Sequence, residues 1–170
     1  GTWTGIGAAI IGDVNGDQAG YAVALSGDGK RVAVGAPYNS IPVEKGQVRV
    51  FGENGGTWTQ VGADIIGENN GDQFGWSVSM SANGKRIIAG SIDNNANGTD
   101  AGHARVYEEI GGTWAQTGSD LDGVAAQNHA GHGVAISADG HTVGLGAPGH
   151  NGGVGQVRVF GLPITPGCVE

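Results

Sequence analysis

Three copies of one unit account for almost the whole of this 170-residue chain. Gly-Thr-Trp recurs at 1–3, 56–58 and 112–114. It is followed by DQAGYAVALS (17–26), DQFGWSVSMS (72–81) and NHAGHGVAIS (128–137), then by GDGKRVAVGAP (27–37), ANGKRIIAGSI (82–92) and ADGHTVGLGAP (138–148). Each unit closes on GQVRVF (46–51), GHARVY (102–107) or GQVRVF (155–160). A unit of this size is one supersecondary module, and it can bury its apolar surface only against its neighbours. The repeat defines a single domain over 1–160, with units of about 1–55, 56–111 and 112–160, and leaves a tail at 161–170.

Each unit holds four short segments whose apolar residues alternate or run briefly between Gly, Asn and Asp, which is the pattern of strands. In the second unit they lie at 57–66, 75–81, 85–91 and 103–109. The second and third segments are joined by Gly27-Asp28-Gly29, Ala82-Asn83-Gly84 and Ala138-Asp139-Gly140. Asp-Gly and Asn-Gly favour hairpin turns because both central residues of a type I′ turn need positive φ. No window carries a sustained 3.6-residue period, so the class is all-β, built of three four-stranded antiparallel units with almost no helix. Twelve strands in threefold repetition also suit a β-trefoil, the alternative fold.

Composition narrows the function. The 36 glycines are roughly three times the usual share but do not recur every third residue, so the chain is turn-rich rather than collagen-like. A net charge of −8 disfavours nucleic acid, which is held by clustered Lys and Arg. No run approaches the ~20 apolar residues of a membrane helix, so membrane insertion is not expected. The first residue is not Met and no signal segment is present, which reads as a mature or excised chain.

Phe74-Gly75, Ser77-Val78, Val34-Gly35-Ala36-Pro37, Leu145-Gly146-Ala147-Pro148 and Gly56-Thr57-Trp58 together resemble the FG-GAP repeats of integrin-type β-propellers, nearest to the bacterial and algal surface-protein variety. The resemblance implies that each unit is a propeller blade and that the chain is an extracellular or cell-surface protein of adhesive or scaffolding type. Calcium-binding members carry an Asp-rich loop where this chain has tight turns. Asp13-Val14-Asn15-Gly16-Asp17 lies elsewhere and reads as a polar turn, so no metal and no cofactor are expected.

Candidate residues were weighed by repeat position. Ser26, Ser81 and Ser137 share one strand-end position, as turn-binding hydroxyls do. No catalytic set survives the alignment, and the chain is read as not an enzyme. His103, His129, His132 and His141 replace different residues of the other units and read as scattered surface substitutions. Arg49, Arg105 and Arg158 are assigned to the repeat core, either paired with a recurrent carboxylate such as Asp17 or Asp72 or lying along an apolar face with the head in solvent. Trp3, Trp58 and Trp114 are likewise assigned to the core, as anchors between blades. Tyr21, Trp76 and His132 share one position and are candidate glycan contacts. Cys168 is a candidate intermolecular thiol, and Asn97-Gly98-Thr99 is a glycosylation sequon.

In the family's strand order the Trp strand completes the preceding three-strand set. Residues 1–12 then carry a Trp strand without a set, and 132–160 a set without a Trp strand. The expected function is an extracellular structural or adhesive module that self-associates by strand complementation into an oligomer or filament, or else closes on itself. The alternative is a lectin-like carbohydrate-binding domain.

Overall fold

The computed structural model describes residues 1–40 and 44–162. The described residues form three separate antiparallel sheets, the first two of them completed by strands from the start of the following unit, so the sheets are blades and the trefoil alternative falls away. The first blade runs β1 (Ala22–Leu25), β2 (Arg31–Ala36), β3 (Gln47–Asn54) and β4 (Thr57–Gln60), with β5 (Ile65–Ile66) also paired to β3. The second repeats it with β6 (Ser77–Met80), β7 (Arg86–Ser91), β8 (His103–Ile110), β9 (Thr113–Gln116) and β10 (Leu121–Asp122). The third has β11 (Gly133–Ile136), β12 (Thr142–Ala147) and β13 (Gln156–Gly161), preceded by a single turn, α1 (His150–Gly153), that Asn151 and Gly152 break with positive φ. Trp58 and Trp114 therefore lie on strands that close the sheet of the preceding unit.

The core lies between blades. Ala33, Val48 and Val50 of the first blade pack on Met80, Ile87, Ala89 and Tyr107 of the second. Ile88, Ala104 and Val106 of the second pack on Val143, Leu145 and Ala147 of the third. Both interfaces need glycine at the contact. A Cβ on Gly35 would stand 2.1 Å from the Gly75 carbonyl oxygen, and one on Gly90 would stand 2.0 Å from that of Gly131. The two glycines of the motif thus touch across the interface, where only a residue without a side chain fits. Arg31 and Arg86 tie the next blade's turn in the same way, donating to the Gly84 carbonyl at 3.1 Å and the Gly140 carbonyl at 3.2 Å.

Residues 1–12 form no strand. Residues 6–13 lie instead against the first blade. The Ile6 carbonyl accepts from Trp58 Nε1 at 2.9 Å, as the Val61 carbonyl accepts from Trp114 Nε1 at 2.8 Å. Trp3 is wholly exposed, which corrects its assignment to the repeat core. The reason is that a Trp strand needs the last strand of a preceding blade to pair with, and the described residues supply none. Nor do residues 1–12 pair with the third blade, whose sheet has three strands among the described residues, so the alternative in which the chain closes on itself is not the arrangement found.

Candidate functional site

The last residue of each motif glycine's turn carries the site. Tyr21, Trp76 and His132 each donate a backbone N–H to the carbonyl three residues back, at Gln18, Gln73 and His129. In each turn Gly20, Gly75 or Gly131 has a φ of 89–93°, as position i+2 of a type II turn requires. The turn opens on Gln18, Gln73 or His129, themselves at positive φ of 48–57°. Three equivalent non-glycine residues in a left-handed conformation mark a place where the surroundings overrule local preference.

These turns bring the three predicted contact residues into one row. Tyr21 and Trp76 have ring centroids 4.6 Å apart, and Trp76 and His132 are 5.8 Å apart. Tyr38 extends the row edge-on to Tyr21 at 6.3 Å. Tyr21 and Tyr38 are each about two-fifths exposed, so the row presents ring surface to solvent. Beside it Gln73 Nε2 donates to Asp93 Oδ2 at 2.5 Å, and His129 Nδ1 stands 3.7 Å from Asp93 Oδ1. Burial, reinforced by the Asp100 charge, pushes the Asp93 carboxyl up from the usual range. Flat aromatic faces next to amide and carboxyl groups are suited to a ligand with both apolar and hydroxyl surfaces.

Behind the row lies a polar pair that sequence reasoning missed. Asp17, Asp72 and Asn128 share one repeat position, Asn39, Asn94 and His150 another, and Asp17, Asp72, Asn39, Asn94 and Asn128 are all buried. Asn94 Nδ2 donates to Asp72 Oδ2 at 2.8 Å, and His150 Nδ1 faces Asn128 Oδ1 at 3.4 Å. Asp17 Oδ2 accepts the amides of Asp13 and Val14, and Asp72 Oδ2 that of Asn69. The threefold recurrence of both positions was the available signal.

This corrects the assignment of Asp17 and Asp72 as arginine partners. Arg49 is buried and reaches Asp13 Oδ1 and the Ile11 carbonyl, both at 2.7 Å, because the loop turns Asp13 rather than Asp17 towards β3. Arg105 pairs with Asp120 and Glu68, and Arg158 donates to the Asp122 carbonyl. Trp58 and Trp114 are half-buried. Ser26, Ser81 and Ser137 each take the N–H of the residue five positions on and donate to the turn residue Asp28, Asn83 or Asp139. His103 is fully buried, so it is no surface substitution: it occupies the β8 position that the buried Gln47 holds on β3. Asn97 is exposed, its Nδ2 donating to the Gly123 carbonyl at 3.0 Å. Cys168 lies outside the described residues.

Among the described residues no helix is long and apolar enough to cross a membrane. Residues 67–107 match the FG-GAP repeat family, and no curated protein matches the chain. Among solved structures it is similar to hydrazine synthase of Kuenenia stuttgartiensis (14% identity, TM-score 0.53, covering 82% of this chain and 33% of that one). It is also similar to the periplasmic gluconolactonase PpgL of Pseudomonas aeruginosa (14%, 0.54, 82% and 38%) and to Sqt1 of Saccharomyces cerevisiae (10%, 0.52, 87% and 37%). The chain thus spans between a third and two-fifths of those structures. At such identities the likeness speaks for the fold, and these neighbours are β-propellers. With the Phe74-Gly75 turn and the glycine contacts between sheets, it shows a β-propeller-type fold whose sheets are blades, with residues 67–107 matching an FG-GAP repeat.

Proposed function

We propose that the chain is a non-enzymatic structural or adhesive module of the extracellular surface, and that it self-associates blade to blade. One observation carries the reading. Val157 and Val159 on β13 are 74% and 68% exposed, whereas their equivalents Val48 and Val50 are 0% and 1% exposed beneath the second blade. At the opposite face Val23 and Leu25 are exposed, where the equivalent of Leu25, Met80, is buried. The two faces are the two halves of an interface the molecule already builds twice, so a second copy of the chain is a fitting occupant. Residues 1–4 repeat the Gly-Thr-Trp-Thr of 56–59 and suit the fourth-strand place beside β13. The contact is heterologous and propagates into a ring or filament.

Sedimentation tests this. The intact chain is expected to grow in mass with concentration, and Val157→Asp with Val159→Asp to stay monomeric. An intact chain that remains monomeric at high concentration overturns self-association. A second reading, glycan binding, rests on the stacked row of Tyr21, Trp76 and His132. A glycan array checks it: binding that Trp76→Ala abolishes supports a lectin role, and no binding at all removes it.

A further inference from the structure

One cross-strand pair departs from the repeat on both strands. In the first blade Gln47 faces Ile66; in the second the matching pair is His103 and Asp122. His103 is fully buried and neither ring nitrogen has a hydrogen-bond partner, and Asp122 Oδ1 is buried without one. Gln47 in that place donates to Asp13 at 2.7 Å, so the histidine has given up a bond the fold had available. An unpaired polar group in the interior is costly, and its presence calls for a partner.

The ring nitrogen Nδ1 points between two carboxylates, 3.6 Å from Asp120 Oδ2 and 3.9 Å from Asp122 Oδ1. Glu68 also places an oxygen within 4.8 Å of ligand atoms of His103 and Asp120. These gaps are too long for hydrogen bonds. They are close to the ~3.3–3.5 Å that separates neighbouring ligands around a tetrahedral ion with bonds of about 2.0–2.2 Å. Arg105 is shared between two of these carboxylates. It holds Asp120 through Nε at 2.9 Å and Nη2 at 2.7 Å, and Glu68 through Nη2 at 2.7 Å, while Gln116 Nε2 supports Asp120 Oδ1 at 2.7 Å. Those bonds orient the carboxylates as outer partners orient metal ligands. Three carboxylates stand against the Arg105 guanidinium and, at the Asp122 carbonyl, that of Arg158, so the group is net acidic.

We infer that His103, Asp120 and Glu68 form a binding site for a zinc-class divalent cation between the second and third units, with Asp122 beside it. An imidazole among carboxylates selects a borderline ion such as Zn²⁺ over Ca²⁺, which prefers an all-oxygen shell. The site is structural: a cation there ties β8, which supplies His103, to the strand that leads into the third blade, and it is independent of whether the chain self-associates.

The experiment is calorimetric titration of the chain with Zn²⁺, in a Cys168→Ser background so that the tail thiol does not compete, followed by thermal melting with and without the ion. One saturable site and a raised melting temperature are expected, because an ion that binds only the native state stabilises it. His103→Gln restores the residue that the other two units carry at this position, so it leaves the fold intact and should abolish the binding. Glu68→Gln, at the exposed member of the group, should weaken it at least about tenfold. Ca²⁺ should leave the melt unchanged. The inference is overturned if the parent shows no saturable Zn²⁺ site, or if His103→Gln binds as the parent does, which would place the ion on the exposed histidines.

Discussion

The hexapeptide GQVRVF occurs twice, at 46–51 and 155–160, and the two copies form the same strand with different fates. Val48 and Val50 are sealed under the next blade, while Val157 and Val159 face solvent. In both copies the arginine lies over its phenylalanine, Arg49 at 5.5 Å from the Phe51 ring and Arg158 at 5.4 Å from the Phe160 ring, so the strand keeps this contact in both places. Sequence sets the strand and its pleat; the neighbouring blade decides which face is core. The stability of a blade is therefore largely a property of its interfaces, as in repeat proteins generally.

Glycine at the interface should show the contrast most sharply. Gly90→Ala drives a methyl into the Gly131 carbonyl and should cost about 3 kcal/mol, whereas the equivalent Gly146→Ala, with its nearest atom 3.3 Å away, should cost under about 1 kcal/mol. Equal losses in denaturant unfolding would show that the interface is not what the glycines serve. Tryptophan comes next: Trp58→Ala loses half-buried ring surface and the bond to Ile6 and should cost about 2–3 kcal/mol, against less than ~0.5 kcal/mol for the exposed Trp3→Ala. The valines themselves should differ by less. Val50→Ala should cost about 2 kcal/mol and Val159→Ala almost nothing at dilutions where the chain is monomeric. A matching loss at Val159 would mean that its face is covered even then.

Much of this was legible in the sequence. The repeat located the strands to within a few residues: 103–109 was read for a strand that runs His103–Ile110, and the Asp-Gly and Asn-Gly turns placed the hairpins. Residues 1–12 were misread because a Trp strand is a strand only when a neighbour offers an edge, and no local pattern reports that. His103 was misread because exchange of one polar residue for another at a repeat position resembles surface drift. Its burial comes from Leu121 and Asp122, distant in sequence, lying along β8. The arginine partners were misplaced by four residues, because the loop decides which of two carboxylates turns inward, and that depends on the buried Asx-type bonds of Asp17 and Asp72.

The smallest expected effect separates the hairpin turns. In the first and third blades the serine hydroxyl and the backbone amide two residues beyond the acidic residue are held by its carboxylate, Asp28 or Asp139, while the second blade uses the amide oxygen of Asn83. The serine hydroxyl bond, followed by the backbone amide, lowers the pKa of Asp28 and of Asp139. A carboxyl whose folded pKa is depressed contributes its stability above the unfolded value and loses it as pH falls through the folded one. Lowering the pH from about 5 to 2 should therefore shift the amide resonances of Lys30 and His141, with midpoints below the ordinary Asp value of about 3.9, and leave that of Lys85 flat. Asp139→Asn should flatten the His141 response and leave that of Lys30 intact. A midpoint at or above the ordinary Asp value would mean that the hydroxyl bond does not favour the ionised turn, and an acid response at Lys85 equal to the others would mean that the titrating groups lie outside the turns.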